Sequence, residues 1–422
     1  MASRFQMRRH PDPCGSFAGL ILKAFTVLTL ILPCSYSHGA PIKTSDGVSA
    51  LHERLVEVTG PQDSVIIASS DNKNLIAVNA DHMLIPASIL KVLTSLAAIE
   101  ILGEEFRFKT EFFRSAQGDL IIKGYGDPFL ISEEIRSIAE KLRGFIENIQ
   151  DIILDASYFS RPVIIPGRSN TPQPYDAPNG ALCVNFNTVN FRREQGHWVS
   201  AEPQTPLLPF AIPRIESSGL KKGRITMAST ENEGLRYAGE LFKYFFTREG
   251  IKVNGGIRIG ETPDGKDHLI FSHKSSLTVL QIAGELLEYS NNFIANQLLL
   301  AIGAKYYSAP STLVNGISVL EEFCDNRLGI EDVRLAEGSG LSRDNRISAR
   351  AMLTVLEHFS PYQRLLRSEG RQRYKTGTLW NVSTRAGYLD SRSGGVYRFV
   401  VMRNSKGKSA EEVTRIIERY LK

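Results

Sequence analysis

Residues 86 to 103, PASILKVLTSLAAIEILG, constrain this chain more than any other stretch. Pro86 stands where a helix begins and Gly103 just past where it ends. The interior between them is almost continuously apolar, and a helix of that kind is buried inside a core. Lys91 conflicts with such a setting. An ammonium group in an apolar interior is costly, and burial drives its amine toward the neutral form. Ser88 lies three positions earlier on the same helical face. The S-x-x-K pair therefore sets a hydroxyl against a base, and a serine needs a base to become a nucleophile. Three further S-x-x-K spacings, Ser70/Lys73, Ser218/Lys221 and Ser405/Lys408, fall in polar, turn-like sequence. There the serine would be solvated and the lysine fully charged.

Two later segments extend the chemistry. Ser290-Asn291-Asn292 is an S-x-N within a helical region. Ser290 is expected to relay a proton between Lys91 and a leaving group, and Asn292 to hold a substrate amide. Lys375-Thr376-Gly377-Thr378 directly precedes a strand-like run. Lys375 would bind a substrate carboxylate and sustain a positive field, with Thr376 beside it. Gly377 admits a close approach to the backbone. The N–H groups of Thr378 and Ser88 would form an oxyanion hole, where each donor is commonly worth about 3 to 4 kcal/mol. Taken singly, S-x-N is an ordinary helix junction and K-T-G a strand-edge turn. Ser70-Asp71-Asn72 has the S-x-N shape too, but it precedes Ser88 and suits a hairpin turn. In the order S-x-x-K, S-x-N, K-T-G, each in a suitable context, the three make the active-serine set of penicillin-binding proteins and serine β-lactamases.

More of the sequence matches than these motifs. KGYGDP at 123–128, DASYF at 155–159, YDAPNGALCVNFN at 175–187, FSHKS at 271–275 and EGSGLSRDNRIS at 337–348 resemble blocks of the class C low-molecular-mass penicillin-binding proteins, the D-Ala-D-Ala carboxypeptidase/endopeptidase family. The resemblance runs from about residue 45 to 422. It implies hydrolysis of D-Ala-D-Ala, and of D-Ala-diaminopimelate cross-links, through an acyl-enzyme on Ser88 with Lys91 as base. Peptidoglycan stem peptides would be the substrates, β-lactams would be covalent inhibitors, and no cofactor is implied. Arg343, the arginine of GLSR, would lie near the peptide stem. One departure concerns Asn170. It aligns where relatives that recognise a free diaminopimelate end hold an aspartate, and an amide has no charge to offer an ammonium. Asp176 is the nearby carboxylate.

The expected fold is α/β of the α+β kind: a transpeptidase/β-lactamase-like domain whose antiparallel sheet is flanked by helices. Residues 40–105 and 270–422 would build it, the sheet coming from an N-terminal hairpin (64–70 and 75–80) and two C-terminal strands. Residues 106–269, with short strand-like runs and a loop-heavy stretch at 160–215, would form an inserted β-rich domain. Residues 1–39 have the pattern of a signal peptide: Arg4, Arg8 and Arg9, an apolar run from Leu20 to Leu32, then small residues. That places the protein in the periplasm or otherwise outside the cytoplasm, and is compatible with peripheral membrane association. A formal charge of +5 on 422 residues, with no aromatic-interleaved basic stripe, gives no reason for nucleic-acid binding. Beyond residue 39 only Cys183 and Cys324 remain, too few for a disulfide framework. The histidines are scattered, so no metal site is expected.

Overall fold

The computed structural model describes residues 44–262, 268–392 and 394–421. The expected signal segment, 1–39, lies outside them. A six-stranded antiparallel sheet forms the frame. Its spatial order is Arg367–Glu369, Gln372–Leu379, Val382–Asp390, Val396–Arg403, Asp63–Ala68 and Asn74–Val78. The N-terminal hairpin thus joins the C-terminal strands, with Asp63 opposite Arg403 and Ala68 opposite Arg398. A buried ion pair marks that seam. Asp63 meets Arg403 at 3.2 Å and Lys408 at 3.6 Å.

Period-2 alternation distributes the strand residues between two cores. Val65, Ile67, Phe399 and Val401 face the helices Thr44–Val58 and Ala410–Tyr420, packing against Leu51, Leu55, Val413 and Ile417. Ile66, Val400, Met402 and Ala386 face the opposite way. They meet a helical layer made of Leu90–Leu102, Val279–Tyr289, Asn292–Tyr307 and Ala349–Phe359. The helix that carries Lys91 is central in that layer, which is why its sequence is apolar all round. The helical region that holds the S-x-N segment breaks at Ser290. That residue takes a left-handed conformation (φ 54°), and Asn291 caps the next helix by accepting from the Phe293 and Ile294 amides.

The middle of the chain builds a second core. A mixed five-stranded sheet runs in the order Ile257–Ile259, Ile152–Asp155, Leu120–Gly124, Lys109–Arg114 and His268–Lys274. Helices Ser132–Leu142 and Glu231–Arg248 contribute Ile135, Ile138, Leu241 and Phe242 to the same core. A three-stranded sheet of residues 188–226 accompanies it. The last strand of the five, His268–Lys274, carries the chain back toward the helical layer, so the sheet reaches a few residues past position 269.

Gln297 ties this region to the helical layer. It is fully buried on helix Asn292–Tyr307. Its amide donates to the Gly126 and Gly180 carbonyls (3.1 and 3.0 Å) and accepts from Asn179 Nδ2 and the Gly180 amide (3.0 and 3.3 Å). The blocks KGYGDP and APNG thus dock onto the helix that begins with the second motif. Asn185, Phe186 and Asn187 all have positive φ. The side chains of Asn185 and Asn187 satisfy the Ser132 amide and the Pro178 carbonyl, among other groups. Cys183 and Cys324 are free and buried, and burial pushes both thiols up, Cys324 to about 12.

Candidate active site

Ser88 sits in a 3-10 turn, Ala87–Ile89, that leads into helix Leu90–Leu102. Its side chain is half-buried and so reachable. The residue before it, Ala87, has φ 50°, a left-handed conformation costly for a residue with a Cβ. Neighbours lock that turn. The Thr384 hydroxyl donates to the Pro86 carbonyl at 2.7 Å. Gly340 (φ 79°) packs so tightly that a Cβ there would lie 1.9 Å from the Ala87 oxygen.

Lys91 is wholly buried. Its Nζ lies 2.9 Å from Ser88 Oγ, 2.7 Å from Asn292 Oδ1 and 2.6 Å from the Ser339 carbonyl oxygen. A neutral amine has two N–H donors and one lone pair. Asn292 and Ser339 accept the two donors, so the lone pair is left for the Ser88 hydroxyl proton. Burial, helped by the nearby Lys375 charge and opposed by Glu337, brings Lys91 down to about 7. At that value the base form is well populated near neutrality.

The Ser339 carbonyl is held by a buried loop. Glu337, also fully buried, accepts from the Ser339 amide (2.8 Å) and hydroxyl (2.6 Å), from Asn296 Nδ2 (3.0 Å), Asn345 Nδ2 (2.9 Å) and the Ser342 amide (3.2 Å). Thr94 Oγ1 donates to the Gly338 carbonyl at 2.6 Å. The EGSGLSRDN block is therefore folded around a carboxylate that aims one backbone oxygen at the lysine.

Lys375 is 4 % exposed, and its Nζ donates to the Thr376 carbonyl at 2.9 Å. Burial holds it down to about 8, against the pull of Glu288. Along this strand Lys375 and Gly377 are buried while Thr376 and Thr378 are exposed. A Cβ on Gly377 would lie 2.3 Å from Thr384 Oγ1 and 2.7 Å from the Ser88 nitrogen, so only glycine lets the strand come this close to the nucleophile. Lys375 to Thr378 lie within the strand Gln372–Leu379 rather than before it, and this strand is an edge for part of its length. The three-residue strand Arg367–Glu369 flanks it, but pairs only with residues 372–374. From 375 to 379 the outer side has no strand partner among the described residues.

Not every expected residue converges. The Ser290 side chain is half-buried, and among the described residues its hydroxyl has no hydrogen bond to Lys91 or Lys375. Its local role is the left-handed link that lets Asn291 cap and Asn292 point at Lys91. Arg343 is exposed and donates to the Trp380 carbonyl, joining the GLSR loop to the end of the K-T-G strand. Trp380 itself is 79 % exposed. Asp176 is buried and accepts from the Ser169 amide and the Thr171 hydroxyl. It is committed to its own loop, and Asn170 is exposed. Thr384 escaped the sequence reading, and Glu337 and Ser339 stood within the 337–348 block without a role. Ser339 acts through its backbone, which leaves no side-chain signature.

A half-buried hydroxyl, a buried amine with its lone pair aimed at it, a second cation and an open strand edge together suit acyl transfer from a peptide bond to serine. Comparison with known proteins agrees. Residues 49–222 and 218–368 match the D-Ala-D-Ala carboxypeptidase 3 (S13) family. The D-alanyl-D-alanine carboxypeptidase of Actinomadura sp. (strain R39) is 25% identical over 419 residues, covering 81% of this chain and 78% of that protein. DacB, the D-alanyl-D-alanine carboxypeptidase of Haemophilus influenzae, is 24% identical over 374 residues (77% and 76%). The crystal structure of penicillin binding protein 4 (dacB) from Haemophilus influenzae superposes with a TM-score of 0.70 at 22% identity, covering 89% of this chain and 98% of that one. A second structure of that protein, complexed with a β-lactam, gives 0.66 at 20% identity, with the same coverage. With a family match across most of its length and a half-buried serine beside a buried lysine within the matched fold, the chain belongs to the D-Ala-D-Ala carboxypeptidase 3 (S13) family and is a serine-type D-Ala-D-Ala carboxypeptidase.

Proposed function

We propose that Ser88 is the acylated nucleophile of this carboxypeptidase and Lys91 its general base. The stem peptide lies along the open edge of residues 375–379, its terminal carboxylate toward Lys375. Ser88 Oγ attacks the carbonyl carbon of the penultimate D-Ala while Lys91 takes the hydroxyl proton. The oxyanion develops toward the Ser88 and Thr378 amides. Collapse breaks the C–N bond, and the leaving D-Ala amine takes a proton from the Lys91 ammonium. Water then attacks the Ser88 ester, again with Lys91 as base, and frees the shortened stem and the serine. Asn292 holds both the lysine and a substrate amide. Ser290 and Thr376 contribute hydroxyls at the rim, and Arg343 a cation beside the stem.

The observation that carries this reading is the set of three contacts at Lys91, which spend two N–H donors on fixed acceptors and leave one lone pair for Ser88. The same attack opens a β-lactam ring and leaves the serine blocked. A cross-linked peptide presents the same D-Ala carbonyl with a longer amine leaving group, so endopeptidase cleavage is the second reaction of the site. Since the substrate is peptidoglycan, the enzyme works outside the cytoplasm, delivered by the 1–39 segment. Among the described residues, no helix is long and apolar enough to cross a membrane.

The test is labelling with fluorescent penicillin together with D-Ala release from a pentapeptide stem. Wild type is expected to label and to turn over, and Ser88→Ala to do neither. Label retained by the Ser88→Ala protein would remove Ser88 as nucleophile. Mass analysis of digested sacculi would separate carboxypeptidase from endopeptidase products.

A further inference from the structure

Far along the sequence from the nucleophile, the C-terminal helix and the adjacent sheet end border an open polar cleft. It measures about 400 Å³ and is lined by Arg371, Arg392, Arg415, Glu418 and Arg419. Four guanidinium groups thus surround one carboxylate. Arg415, Glu418 and Arg419 share a face of helix Ala410–Tyr420, being three and four residues apart. Arg371 comes from the turn between strands Arg367–Glu369 and Gln372–Leu379, and Arg392 from the turn after Val382–Asp390.

Among the described residues, the carboxylates Glu418 and Glu411 are fewer than the four guanidinium groups here. Arg371 is committed to the fold, donating to the carbonyls of Asp390 (2.9 Å), Leu421 (3.0 Å) and Glu418 (2.7 Å). Those are neutral acceptors, and its one ionic partner is Glu418, which it meets at 3.7 Å. Glu418 is already engaged by Gln372 Nε2 at 3.0 Å and by Arg371 at 3.7 Å. Arg415 pairs with Glu411 at an exposed position. Among the described residues, Arg392 and Arg419 have no hydrogen-bonded or ion-paired partner. Like charges gathered around one hollow repel one another, and a bound anion removes that cost.

We propose that this cleft is a binding site for a phosphate group. Each guanidinium presents a planar fork of N–H donors that matches a pair of phosphate oxygens, and several forks satisfy one tetrahedral anion from different directions. The volume leaves room for an organic substituent, so phosphate esters fit as well as the free ion. Such groups reach a cell-wall enzyme either as soluble phosphates or as lipid headgroups. The catalytic reaction, which handles only peptide and carboxylate, does not use the site.

Isothermal titration of the full chain with inorganic phosphate, in buffer containing chloride, tests the proposal. Binding is expected in wild type and should weaken about tenfold or more in Arg392→Ala/Arg419→Ala. An Arg54→Ala/Arg136→Ala control, which removes two exposed charges elsewhere, should bind as wild type does. D-Ala release by the Arg392→Ala/Arg419→Ala protein should equal wild type, which also verifies its fold. Absence of binding in wild type, or equal loss in the two double variants, would overturn the proposal. Sedimentation with phosphatidylglycerol vesicles, against phosphatidylcholine vesicles, identifies the source. Co-sedimentation abolished by Arg392→Ala/Arg419→Ala assigns a lipid headgroup, and phosphate binding without co-sedimentation assigns a soluble phosphate.

Discussion

Replacing Lys375 by glutamine separates the two tasks given to that lysine, because a neutral acylating agent needs only one of them. An uncharged active ester has no carboxylate to anchor, so the substitution reaches it solely through the field at Lys91. Burial and the Lys375 charge bring Lys91 from 10.5 to about 7. At about 1.4 kcal/mol per pH unit, that drop is on the order of 5 kcal/mol against the charged form. It raises the neutral fraction at pH 7 from about 3 in 10,000 to about one half. The sign follows from the depressed value. Between pH 7 and 10.5 the folded protein binds fewer protons at this site than the unfolded chain does. Lys91 therefore opposes folding most strongly below pH 7, and the penalty fades as pH rises toward 10.5. Wild-type acylation by the neutral ester should fall about tenfold per pH unit below 7. In Lys375→Gln a repelling cation is gone, so Lys91 holds its proton more firmly and the acid limb moves to higher pH. The two proteins should differ by a nearly constant factor well below pH 7 and converge near pH 10, where Lys91 is neutral in both. Stopped-flow acylation across pH 5 to 10 reads both limbs. An acid limb that stays in place, or a loss equal at every pH, would refute the electrostatic account of Lys91.

Three further predictions concern the support around this pair. Gly340→Ala places a methyl group 1.9 Å from the Ala87 oxygen at φ 79°; it should cost about 3 kcal/mol or more and abolish penicillin labelling, measured by denaturant melt and gel fluorescence. Gln297→Leu takes the side-chain partner from the buried Gly126 carbonyl and Gly180 amide, for a loss of about 2 to 4 kcal/mol in the same melt. Asp63→Ala leaves Arg403, only 4 % exposed as a side chain, without its carboxylate; about 3 to 5 kcal/mol should be lost, with little change in the acylation rate of the protein that remains folded.

The site was legible where its chemistry is local in sequence. Ser88 and Lys91 are one helical turn apart, and the apolar letters around them disclose the burial that makes the lysine a base. Lys375 and Gly377 stood out because a strand-like run follows directly. The hairpin, read at 64–70 and 75–80 and formed by Asp63–Ala68 and Asn74–Val78, was visible through apolar runs on either side of turn residues, as were the C-terminal strands. What stayed hidden depends on contacts across the fold. The carbonyl that holds Lys91 belongs to Ser339, 248 positions away, and any residue type supplies a carbonyl. The left-handed turn at Ala87 contradicts local propensity and exists because Gly340 and Thr384 enforce it. The left-handed conformation of Ser290 carries no glycine or other local letter to announce it.

The Gln297 amide has a consequence for anyone wishing to reduce this protein to a minimal catalyst. Cutting out the middle of the chain would not lift away an independent module. It would open a polar hole in the middle of the helix whose first residue steadies the base, with Asn292 and Gln297 little more than one turn apart. A trimmed enzyme would need a redesigned surface there before its chemistry could be judged. Conversely, a substitution in the Gly126 or Gly180 turns, remote from any reacting atom, is a route for altering turnover while leaving every catalytic side chain in place.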